Sequence, residues 1–482
     1  MRRKSSRKRL VLINPNVEEL CYFYAGESKG VVEPLWAGIV AALTPEEEWE
    51  VQFIHEGMKK LDFSPADLVG ITTFSVNAER AYRIAGVYRQ KGIPVVIGGV
   101  HASIVPEEAA RYCDAVVVGD AEETWPQLLD DFRNGGLKRF YHAEAPRGEL
   151  RTRPRRDIFR GYMSAAVQFS RGCTGTCAFC SIPALERKGI RYRSIDVVLD
   201  DISSIRKRYF FFVDDNLTGM GPRQNERALD LFKAMVKRGL RKRFIAEASI
   251  NLYENDELLY WMNRAGCFMC LIGFEDIDAG RLADLNKRHN LKVDYREAIR
   301  RFHEHNMSIY GSFIVGLPGQ TPDDVRATID FCVEAGVDYP FLSLASLLPG
   351  SKWWEHYIDQ VPFGRDLPRR YANLCGSYLP VVPNPSFPVE EWPQVFREAA
   401  RKLSNYGRLS SIFYRWARKG DFDNAFSLLG MGRGLKVFYS RLAKAGEVID
   451  PETGRFLRKT RLTPLPELQD PAGTDGSSSR MP

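Results

Sequence analysis

The chain has 482 residues, of which 44% are hydrophobic and 27% are charged, so it has room for roughly two to four globular domains and is neither wholly disordered nor collagen-like. Its net charge of +7 is concentrated in residues 1–9 and 141–160, with six basic residues in each stretch. These stretches are either solvated segments or sites for an anionic partner, such as a phosphate-bearing substrate or a membrane surface. Nucleic acid is not an expected partner, because the sequence has no zinc knuckle, helix-turn-helix signal or RNP pattern.

Residues 1–8 form a basic tail, and the apolar run that follows at residues 10–13 stops at Asn14 and Pro15. This run is too short for the apolar region of a signal peptide, and no run of about 18 apolar residues indicates a transmembrane helix. We therefore expect a cytoplasmic protein without a transmembrane span. Peripheral contact with a membrane stays open.

The first segment alternates short apolar strands with helices, which predicts a parallel sheet covered on both faces. We place this α/β domain at residues 9–140. Its predicted strands are residues 10–13, 51–55, 67–73, 94–98 and 115–119, and its clearest helices are residues 34–43 and 77–91. Polar or glycine residues follow the strands, at Asn14, Thr72, Thr73, Gly98, Gly99 and Gly119. In an open α/β sheet, ligands bind at this carboxyl edge.

Residues 141–163 are rich in Arg, Pro and Gly and predict a linker. A second α/β series at residues 164–370 has six predicted strands, at 166–169, 210–213, 244–248, 268–272, 310–315 and 341–345. Six β/α units predict a partial (β/α)6 barrel of the TIM type. Residues 371–462 predict a helical domain, with helices at 389–403, 410–418, 423–429 and 436–445. The Pro/Gly/Ser-rich residues 463–482 predict a disordered tail.

Three of the nine cysteines, Cys173, Cys177 and Cys180, are spaced Cys-x3-Cys-x2-Cys, and the odd total argues against a disulfide framework. The motif directly follows the first strand of the second series, so it lies on a loop at the carboxyl edge. Three thiolates on such a loop can hold one face of a cubane [4Fe-4S] cluster and leave one iron open to a ligand. The alternatives are three unrelated cysteines or a zinc loop, which needs a fourth ligand such as Cys113 or His142.

The motif and the segments behind it resemble the radical S-adenosylmethionine (SAM) superfamily over residues 165–349. Carboxylates end the apolar stretches at residues 210–216 and 271–276, and a glycine–proline turn occupies residues 311–321. The resemblance implies that the three cysteines ligate a [4Fe-4S] cluster, whose open iron binds SAM. An electron from an external donor of the flavodoxin or ferredoxin type then cleaves SAM to a 5′-deoxyadenosyl radical. The resemblance assigns SAM binding to Phe179, Asp215, Asn216, Glu275, Gly316 and Gln320.

The N-terminal domain resembles the Rossmann-like cobalamin-binding domain that precedes many radical SAM cores, on the basis of residues 12–15, 67–72, 94–102, 106–108 and 118–122. The resemblance assigns cobalamin binding to Asn14, Thr72, Thr73, Ser75, Gly98, Gly99, His101, Gly119 and Glu122. The chain lacks the Asp-x-His-x-x-Gly motif that supplies a lower cobalt ligand. His101 is therefore either a candidate near the corrin ring or a plain loop residue. A domain that has lost the cofactor and serves as a scaffold is the alternative.

Three further features have competing interpretations. Cys267 and Cys270 lie in a predicted buried strand, where they are either small core thiols or a redox pair or second cluster. Cys375 is either a core thiol or a catalytic thiol or extra ligand. The aromatic residues of the C-terminal region are either core or an apolar substrate surface suited to a lipid or tetrapyrrole.

Together these features predict a cobalamin-dependent radical SAM enzyme that methylates an unactivated carbon of a small molecule, with an apolar lipid or tetrapyrrole as one candidate class. One alternative is cyclisation, oxidation or rearrangement without methyl transfer. Another is a corrinoid-binding sensor with a non-catalytic cluster. The complete cysteine triad argues against the sensor, because a sensor has no need of an open iron.

Overall fold

The computed structural model describes residues 7–17, 30–144, 149–185, 189–361, 371–376, 380–444 and 463–468. Two six-stranded parallel sheets organise these residues, with the strand orders β2-β1-β3-β4-β5-β6 and β14-β13-β12-β11-β10-β7, and β8 and β9 form a short antiparallel ribbon. The strands are β1 (Lys8–Asn14), β2 (Trp49–His55), β3 (Leu68–Thr72), β4 (Val95–Gly98), β5 (Ala115–Val118), β6 (Phe140–His142), β7 (Ala165–Val167), β8 (Ser170–Arg171), β9 (Arg191–Tyr192), β10 (Tyr209–Phe212), β11 (Arg243–Ala248), β12 (Cys267–Glu275), β13 (Ser308–Val315) and β14 (Tyr339–Leu344).

Helices connect the strands and build the C-terminal region. They are α1 (Leu35–Ala42), α2 (Ala78–Gln90), α3 (Val100–Ile104), α4 (Pro106–Ala110), α5 (Ala121–Arg133), α6 (Ile182–Leu185), α7 (Ile195–Ser204), α8 (Pro222–Lys237), α9 (Asp256–Arg264), α10 (Ala279–Asp284), α11 (Tyr295–Glu304), α12 (Pro322–Glu334), α13 (Lys352–Tyr357), α14 (Tyr371–Leu374), α15 (Trp392–Leu403), α16 (Tyr406–Arg418) and α17 (Phe422–Leu442). Short 3₁₀ helices span Ser75–Asn77, Ile250–Glu254, Arg288–Asn290, Ile358–Gln360 and Val389–Glu391. None of the helices in the described ranges combines the length and the apolar character that crossing a bilayer requires.

The N-terminal sheet is covered on both faces, as the near-continuous apolar strands predicted. All five residues of β3 are buried. One face packs against α2 through Tyr82 and Ile84, and the other packs against α1 and α5 through Trp125 and Leu128. The α/β class predicted from the sequence is therefore confirmed.

The first two residues of the predicted linker, residues 141–163, belong to a strand, whereas residues 143–144 and 149–163 contain no helix or strand. β6 pairs in parallel with β5 and adds a sixth strand to the first sheet, which carries the domain past residue 140. The Arg156 guanidinium lies between two buried carboxylates, 2.5 Å from Glu33 and 2.7 Å from Asp201. The sequence did not predict β6 because the strand is only three residues long. Residues 145–148 lie outside the described residues.

The second sheet is the partial barrel that the sequence predicted, with six parallel strands joined by helices. Aromatic side chains pack these strands against the outer helices. Phe210, Phe212 and Phe244 contact one another at ring distances of 5.1–5.2 Å, and Phe244 stacks on Phe232 of α8 at 5.9 Å. All six strands have the same direction. Their carboxyl ends therefore meet at one rim, where the cysteine loop begins.

The helices α16 and α17 close the opposite, amino-terminal end of the barrel. Asn424 donates from Nδ2 to the carbonyl of Phe268 at 3.2 Å, and Trp416 donates from Nε1 to Asp338 at 3.0 Å. The sequence predicted two helices, at 423–429 and 436–445, because glycines separate them. The structure instead has the single helix α17. Gly432 faces Leu409 of α16, and a Cβ atom on it would lie 2.2 Å from the Leu409 side chain.

The predicted disordered tail begins with an ordered strap, residues 463–468. Arg80 donates to the carbonyl of Thr463 at 2.8 Å, Arg83 donates to that of Pro466 at 2.6 Å, and Leu468 is buried. The composition did not predict this segment because its partners, two arginines of α2, lie far away in the sequence. Residues 469–482 lie outside the described residues.

Candidate active site

The three motif cysteines lie on the loop between β8 and α6, at the carboxyl rim of the barrel. The backbone N–H of Gly175 points at Cys173 Sγ over 3.3 Å, and that of Ile182 points at Cys180 Sγ over 3.5 Å. Such N–H groups stabilise sulfur that carries negative charge. The loop is therefore suited to sulfur atoms that act as thiolate ligands.

Burial raises the pKa of the Cys180 thiol to about 12 and also raises the pKa of Cys177. Both side chains must therefore lose a proton when they bind a metal. Within the described part of the chain, no group of three His, Cys, Asp or Glu side chains is close enough together to hold a single metal ion. The three cysteines instead border a shared cavity.

This cavity has a volume of about 320 Å³ and is termed here the cluster cavity. The three cysteines line it together with Phe179, Asp215, Asn216 and Glu275. The structure thus brings together seven of the nine residues that the sequence assigned to the cluster and to SAM. They come from the cysteine loop and from the carboxyl ends of β10 and β12.

Gly316 and Gln320, the other two, do not line the cluster cavity. Gly316 has a φ of +87° and faces Trp392 of α15, to which a Cβ atom would come within 2.7 Å. The Gln320 side chain accepts from the N–H of Gly316 at 2.7 Å and donates to Asp276 at 3.1 Å. These residues brace the turn after β13, while Ser312 and Ile314 of that strand reach the cavity.

Glu275 and Lys287 form an ion pair at the wall of the cluster cavity, with 2.8 Å between Oε1 and Nζ. Burial opposes the charge on Lys287, but the attraction of Glu275 and Cys177 raises the pKa of the lysine above its ordinary value. Gly273 makes room for this pair, because a Cβ atom there would lie 2.3 Å from Glu275 Oε1. The cavity therefore offers both signs of charge to a zwitterionic ligand.

An unpartnered polar atom shows that the cluster cavity suits a polar ligand. Asn216 Oδ1 is buried and has no hydrogen-bond partner in the described structure. A buried acceptor of this kind costs about 1–3 kcal/mol unless a ligand satisfies it. The observation fits an amino or hydroxyl donor of SAM, and the three cysteines beside it fit the cluster.

Sequence reasoning missed three acidic or basic side chains that also line the cluster cavity, namely Glu247, Lys287 and His289. Burial, with Asp215 and Asp214 nearby, raises the pKa of Glu247 to about 8. Burial also lowers the pKa of His289 to about 4. Glu247 lies at the end of a predicted strand, and this position could have indicated a site residue. Lys287 and His289 follow α10, and no pattern in the sequence indicated that they belong to the site.

Asp214 and Asp215 attach the start of the cysteine loop to β10. Asp214 accepts from the backbone N–H groups of Phe169 and Ser170 and from the Ser170 hydroxyl at 2.7 Å. Asp215 accepts from the Gly172 N–H at 2.7 Å. Burial raises the pKa of both carboxyl groups, that of Asp214 to about 7. Asp214 and Asp215 therefore fix the backbone from Phe169 to Gly172, the residue directly before Cys173.

A second cavity of about 400 Å³, termed here the sheet-edge cavity, opens at the carboxyl edge of the N-terminal sheet. Thr72, Gly98, Gly99, Gly119 and Glu122 line it, all of them assigned to cobalamin from the sequence. Its lining also includes the apolar side chains of Trp36, Trp125 and Val96. Glycines at the sheet edge and two tryptophan rings in the same lining fit a large planar cofactor that carries an aromatic tail.

The remaining four residues assigned to cobalamin lie outside the sheet-edge cavity. His101 is fully buried, with its ring nitrogens 3.0 Å from Ser75 Oγ and 3.2 Å from Glu108 Oε1. The Thr73 hydroxyl donates to the carbonyl of Gly98 at 2.9 Å, and Asn14 Oδ1 accepts from Trp36 at 3.1 Å. The structure therefore places these side chains in the supporting layer behind the cavity.

The two cavities meet at an interface between the domains. Asp215 lines both of them. Arg171, two residues before Cys173, lies 2.7 Å from Asp120 and 2.7 Å from Glu122 at the start of α5. Burial opposes the charge on Arg171, but the two carboxylates raise its pKa. This group, termed here the interdomain latch, joins the cysteine loop to the edge of the other sheet.

The other cysteines with competing interpretations are core side chains. Cys267 and Cys270 lie in β12, fully buried, with their sulfur atoms 3.9 Å apart. Cys375 is buried and points its sulfur at the carbonyl of Leu347 over 3.0 Å. None of the three lines either cavity.

Comparison with protein families gives two matches in the order of the two domains. Residues 23–129 match the B12 binding domain, and residues 167–332 match the radical SAM superfamily. The second range contains the cysteine motif and four strands of the barrel. The first contains the sheet edge that borders the sheet-edge cavity.

Characterised relatives extend over most of the chain. The bacteriochlorophyllide d C-12(1)-methyltransferase of Chlorobaculum tepidum is 30% identical over 375 residues, which cover 74% of this chain and 80% of the relative. The hopanoid C-2 methylase of Rhodopseudomonas palustris is 24% identical over 342 residues, which cover 66% of this chain and 62% of that relative. In fold, the chain is similar to the radical SAM methyltransferase TsrM of Kitasatospora setae, solved with cobalamin and a [4Fe-4S] cluster bound. That structure has a TM-score of 0.60 and 17% identity, and the match covers 73% of this chain and 78% of TsrM.

The two domains and their cavities define a radical SAM enzyme with a B12-binding domain. The chain belongs to the family of cobalamin-dependent radical SAM methyltransferases. Its cofactors are a [4Fe-4S] cluster, SAM and cobalamin.

Proposed function

We propose that this enzyme transfers a methyl group to an unactivated carbon of an apolar, polycyclic small molecule. Two relatives carry names that point to such substrates, a bacteriochlorophyllide and a hopanoid, the first a tetrapyrrole and the second a polycyclic lipid. When bound, the cluster supplies the electron that cleaves SAM to a 5′-deoxyadenosyl radical, and the cobalamin supplies the methyl group. The chain's own residues bind and orient these partners.

In this proposal Cys173, Cys177 and Cys180 hold the cluster at the rim of the barrel. Asn216 Oδ1 and the Glu275–Lys287 ion pair bind the polar end of SAM, since they offer an acceptor and both signs of charge to one cavity. Phe179 contacts Trp353 edge-on at 6.0 Å between ring centres, and both rings line the cluster cavity. They cover the ligand and exclude water from it.

The sheet-edge cavity holds the cobalamin in this proposal. Thr72, Gly98, Gly99, Gly119 and Glu122 line it, and its apolar part near Trp36 and Trp125 takes the aromatic tail. Backbone glycines let a bulky cofactor approach the sheet edge closely. Glu122 also belongs to the interdomain latch, so it lies between the cofactor and the cysteine loop.

The observation that carries the proposal is the position of Asp215, whose side chain borders both cavities. A substrate that enters beside Asp215 lies within reach of both cofactors at once. Proximity of this kind is what a reaction between a radical and a methyl donor requires. A sensor has no need of adjoining chambers, and labelled SAM separates methyl transfer from other radical chemistry.

The test is an anaerobic incubation of the reconstituted enzyme with a reductant, cobalamin and methyl-deuterated SAM, with bacteriochlorophyllide d and a hopanoid offered separately. We expect a deuterated methyl group in one of these products, with S-adenosylhomocysteine formed beside 5′-deoxyadenosine. 5′-Deoxyadenosine with an unlabelled, altered substrate would instead support cyclisation, oxidation or rearrangement. Iron and cobalamin without any SAM cleavage would support the sensor.

Two cysteine variants show whether the motif is responsible. Cys177→Ala removes a proposed cluster ligand, and we expect it to lose bound iron and SAM cleavage together. Cys375→Ala is the matched control, because that thiol is buried away from both cavities. Equal loss in both variants would point to a general folding defect rather than to ligation.

An electron donor and a cellular location complete the proposal. A one-electron donor of the flavodoxin or ferredoxin type supplies reducing equivalents, because the cluster must be reduced before SAM is cleaved. We place the enzyme in the cytoplasm, since free thiols that serve as ligands require a reducing compartment. Activity with a purified flavodoxin system in place of dithionite tests the first statement.

A further inference from the structure

The helices α16 and α17 carry an unusual outer surface, termed here the aromatic–basic face. Its large apolar side chains are 53–75% exposed. They are Tyr406, Tyr414, Phe422, Phe426 and Val437. The opposite sides of the same helices already fill the barrel end, through buried residues such as Trp416, Leu428 and Tyr439. The exposed side chains are therefore not needed to pack these helices onto the barrel.

Contacts between the two helices show that these groups belong to one surface. Lys436 of α17 lies over the ring of Tyr406 of α16, with 5.3 Å from Nζ to the ring centre. Phe413 and Phe426 meet edge-on at 5.2 Å between ring centres. The exposed apolar and basic groups of both helices thus share a continuous face.

The charge of this face has one sign. Between residues 406 and 444, all of which are described, every exposed charged side chain is basic. These are Arg418, Lys419, Arg433, Lys436, Arg441 and Lys444. The two carboxylates in this range, Asp421 and Asp423, are paired with Arg243 and Arg208 of the barrel. No exposed carboxylate in this range neutralises the basic groups.

We propose that the aromatic–basic face docks on the surface of an anionic lipid bilayer. Rings of Tyr and Phe insert at the level of the headgroups, while Lys and Arg keep their stems on the apolar surface and their charges on lipid phosphates. Each basic residue near such a surface adds to the attraction, and the attraction weakens with salt. A second copy of the chain is a poorer occupant, because it would bring six like charges against six.

The placement of the face determines how the docked enzyme is oriented. The face lies at the amino-terminal end of the barrel, where Asn424 contacts the carbonyl of Phe268, while both cavities lie at the carboxyl rim. A docked molecule keeps the rim turned away from the lipid and open to an electron donor. Docking does not depend on the identity of the substrate, so it can be tested separately from the proposed function.

The test is flotation of the reconstituted full-length enzyme with vesicles of phosphatidylcholine alone or of phosphatidylcholine and phosphatidylglycerol in equal amounts. We expect binding to the anionic vesicles that falls as salt is added, and little binding to the neutral ones. The double variants Tyr414→Ser/Phe422→Ser and Arg433→Glu/Arg441→Glu are each expected to lower binding about ten-fold or more. An unchanged unfolding temperature shows that they still fold.

Two controls keep the assignment specific. Val389→Ser removes an exposed apolar side chain outside the face, and deletion of residues 1–6 removes three basic residues of the N-terminal tail. Both are expected to bind vesicles like the unaltered enzyme. Binding that depends on the tail, equal binding to neutral vesicles, or no binding at all would each overturn the proposal. So would a lipid-free dimer that the face variants convert to a monomer.

Discussion

Glu275 holds a backbone φ of +63°, a left-handed conformation that costs a non-glycine residue about 1–2 kcal/mol. The conformation coincides with a register shift in β12 and with the 2.8 Å contact between the Glu275 carboxylate and Lys287. Strain that the surrounding structure maintains in this way is typical of binding sites. Gly273, two residues earlier, has no side chain and therefore leaves room for the Glu275–Lys287 ion pair.

We expect Gly273→Ala to weaken SAM binding about ten-fold, the equivalent of one charge-assisted hydrogen bond. The added Cβ would lie 2.3 Å from Glu275 Oε1 and 3.0 Å from Lys287 Nζ, so the ion pair must move. Calorimetric titration of the iron-loaded enzyme with SAM measures the change. Gly86→Ala is the control, because a Cβ there meets nothing within 4 Å. Unaltered affinity in Gly273→Ala would remove Glu275 from the SAM site.

Glu247 provides a prediction about pH. Its pKa is raised from 4.5 to about 8, first by burial and then by Asp215 and Asp214. Between pH 4.5 and about pH 8, Glu247 keeps its proton in the folded state but has released it in the unfolded chain. The contribution of Glu247 to the free energy of unfolding therefore falls as the pH rises through this range. We expect Glu247→Gln to unfold at a higher temperature than the unaltered enzyme at about pH 8.5, with little difference at about pH 5.

Thermal unfolding at the two pH values measures this difference. The control is Glu257→Gln, at a largely exposed carboxylate paired with Lys233. It is expected to change the unfolding temperature little at either pH. An equal effect of Glu247→Gln at both pH values would show that the carboxyl group does not titrate as described.

At the scale of elements, the attachment of α16 to the barrel depends on one carboxylate. Asp338 is 2% exposed and accepts four hydrogen bonds, from the Ile309 N–H at 2.9 Å, His303 at 2.7 Å, Trp416 at 3.0 Å and Arg415 at 3.2 Å. Burial opposes its ionisation, but His303 and Arg415 hold the pKa of Asp338 below its ordinary value. Removing the carboxylate would leave buried donors without an acceptor.

We therefore expect Asp338→Ala to lower the free energy of unfolding by about 3–5 kcal/mol, the cost of breaking a buried ion pair. Urea unfolding, followed by tryptophan fluorescence, measures it. Asp330→Asn is the matched control, because that carboxylate pairs with Lys402 on the surface and is worth about 1 kcal/mol or less. A loss of similar size in both variants would contradict the role given to Asp338.

The interdomain latch links an element of each domain, α5 and the start of the cysteine loop. We expect the double variant Asp120→Asn/Glu122→Gln to lose bound cobalamin and iron together, because it leaves the buried Arg171 without an anionic partner. Absorbance of the corrinoid and chemical iron analysis measure both on one sample. Asp130→Asn, on the exposed side of α5, is the control. Loss of cobalamin with full iron content would show that the latch does not position the loop.

The sequence predicted those elements whose signal is local. The short, mainly apolar strands, the parallel sheets and the loop position of the three cysteines all follow from patterns within short segments. It missed elements whose reason lies far away in the chain. β6 is too short to show a pattern, and α17 continues through three glycines because Gly432 packs on Leu409. No property of residues 423–445 alone reveals that contact.

The same distinction applies to the site residues. Gly98, Gly99 and Gly119 follow strands directly, and the sheet edge brings them to one cavity. His101 also follows a strand, but Tyr371 of α14 covers it with a ring contact of 4.6 Å, and it becomes a core residue. Sequence patterns predict the edge on which a residue lies. They do not predict which side chains of that edge are later covered.

At the scale of the molecule, the two domains face each other with their carboxyl edges, and the two cavities share Asp215 as a wall. The order of the domains and the presence of both edges could be predicted from the sequence. The contact of both cavities with Asp215 depends on how the two sheets dock against each other. No local pattern in the sequence predicts that docking. The interdomain latch and the Arg156 ion pairs stabilise that docking.

The strap at residues 463–468 has a consequence for the order of events during synthesis. Its carbonyl oxygens bind Arg80 and Arg83, 383 residues earlier. A domain near the start of a chain folds while the ribosome is still translating the remainder. The first domain therefore gains these two contacts only after residues 463–468 have left the ribosome, although Arg80 already has an ion pair with Glu56 inside that domain. The strap is thus added to a domain that has already folded.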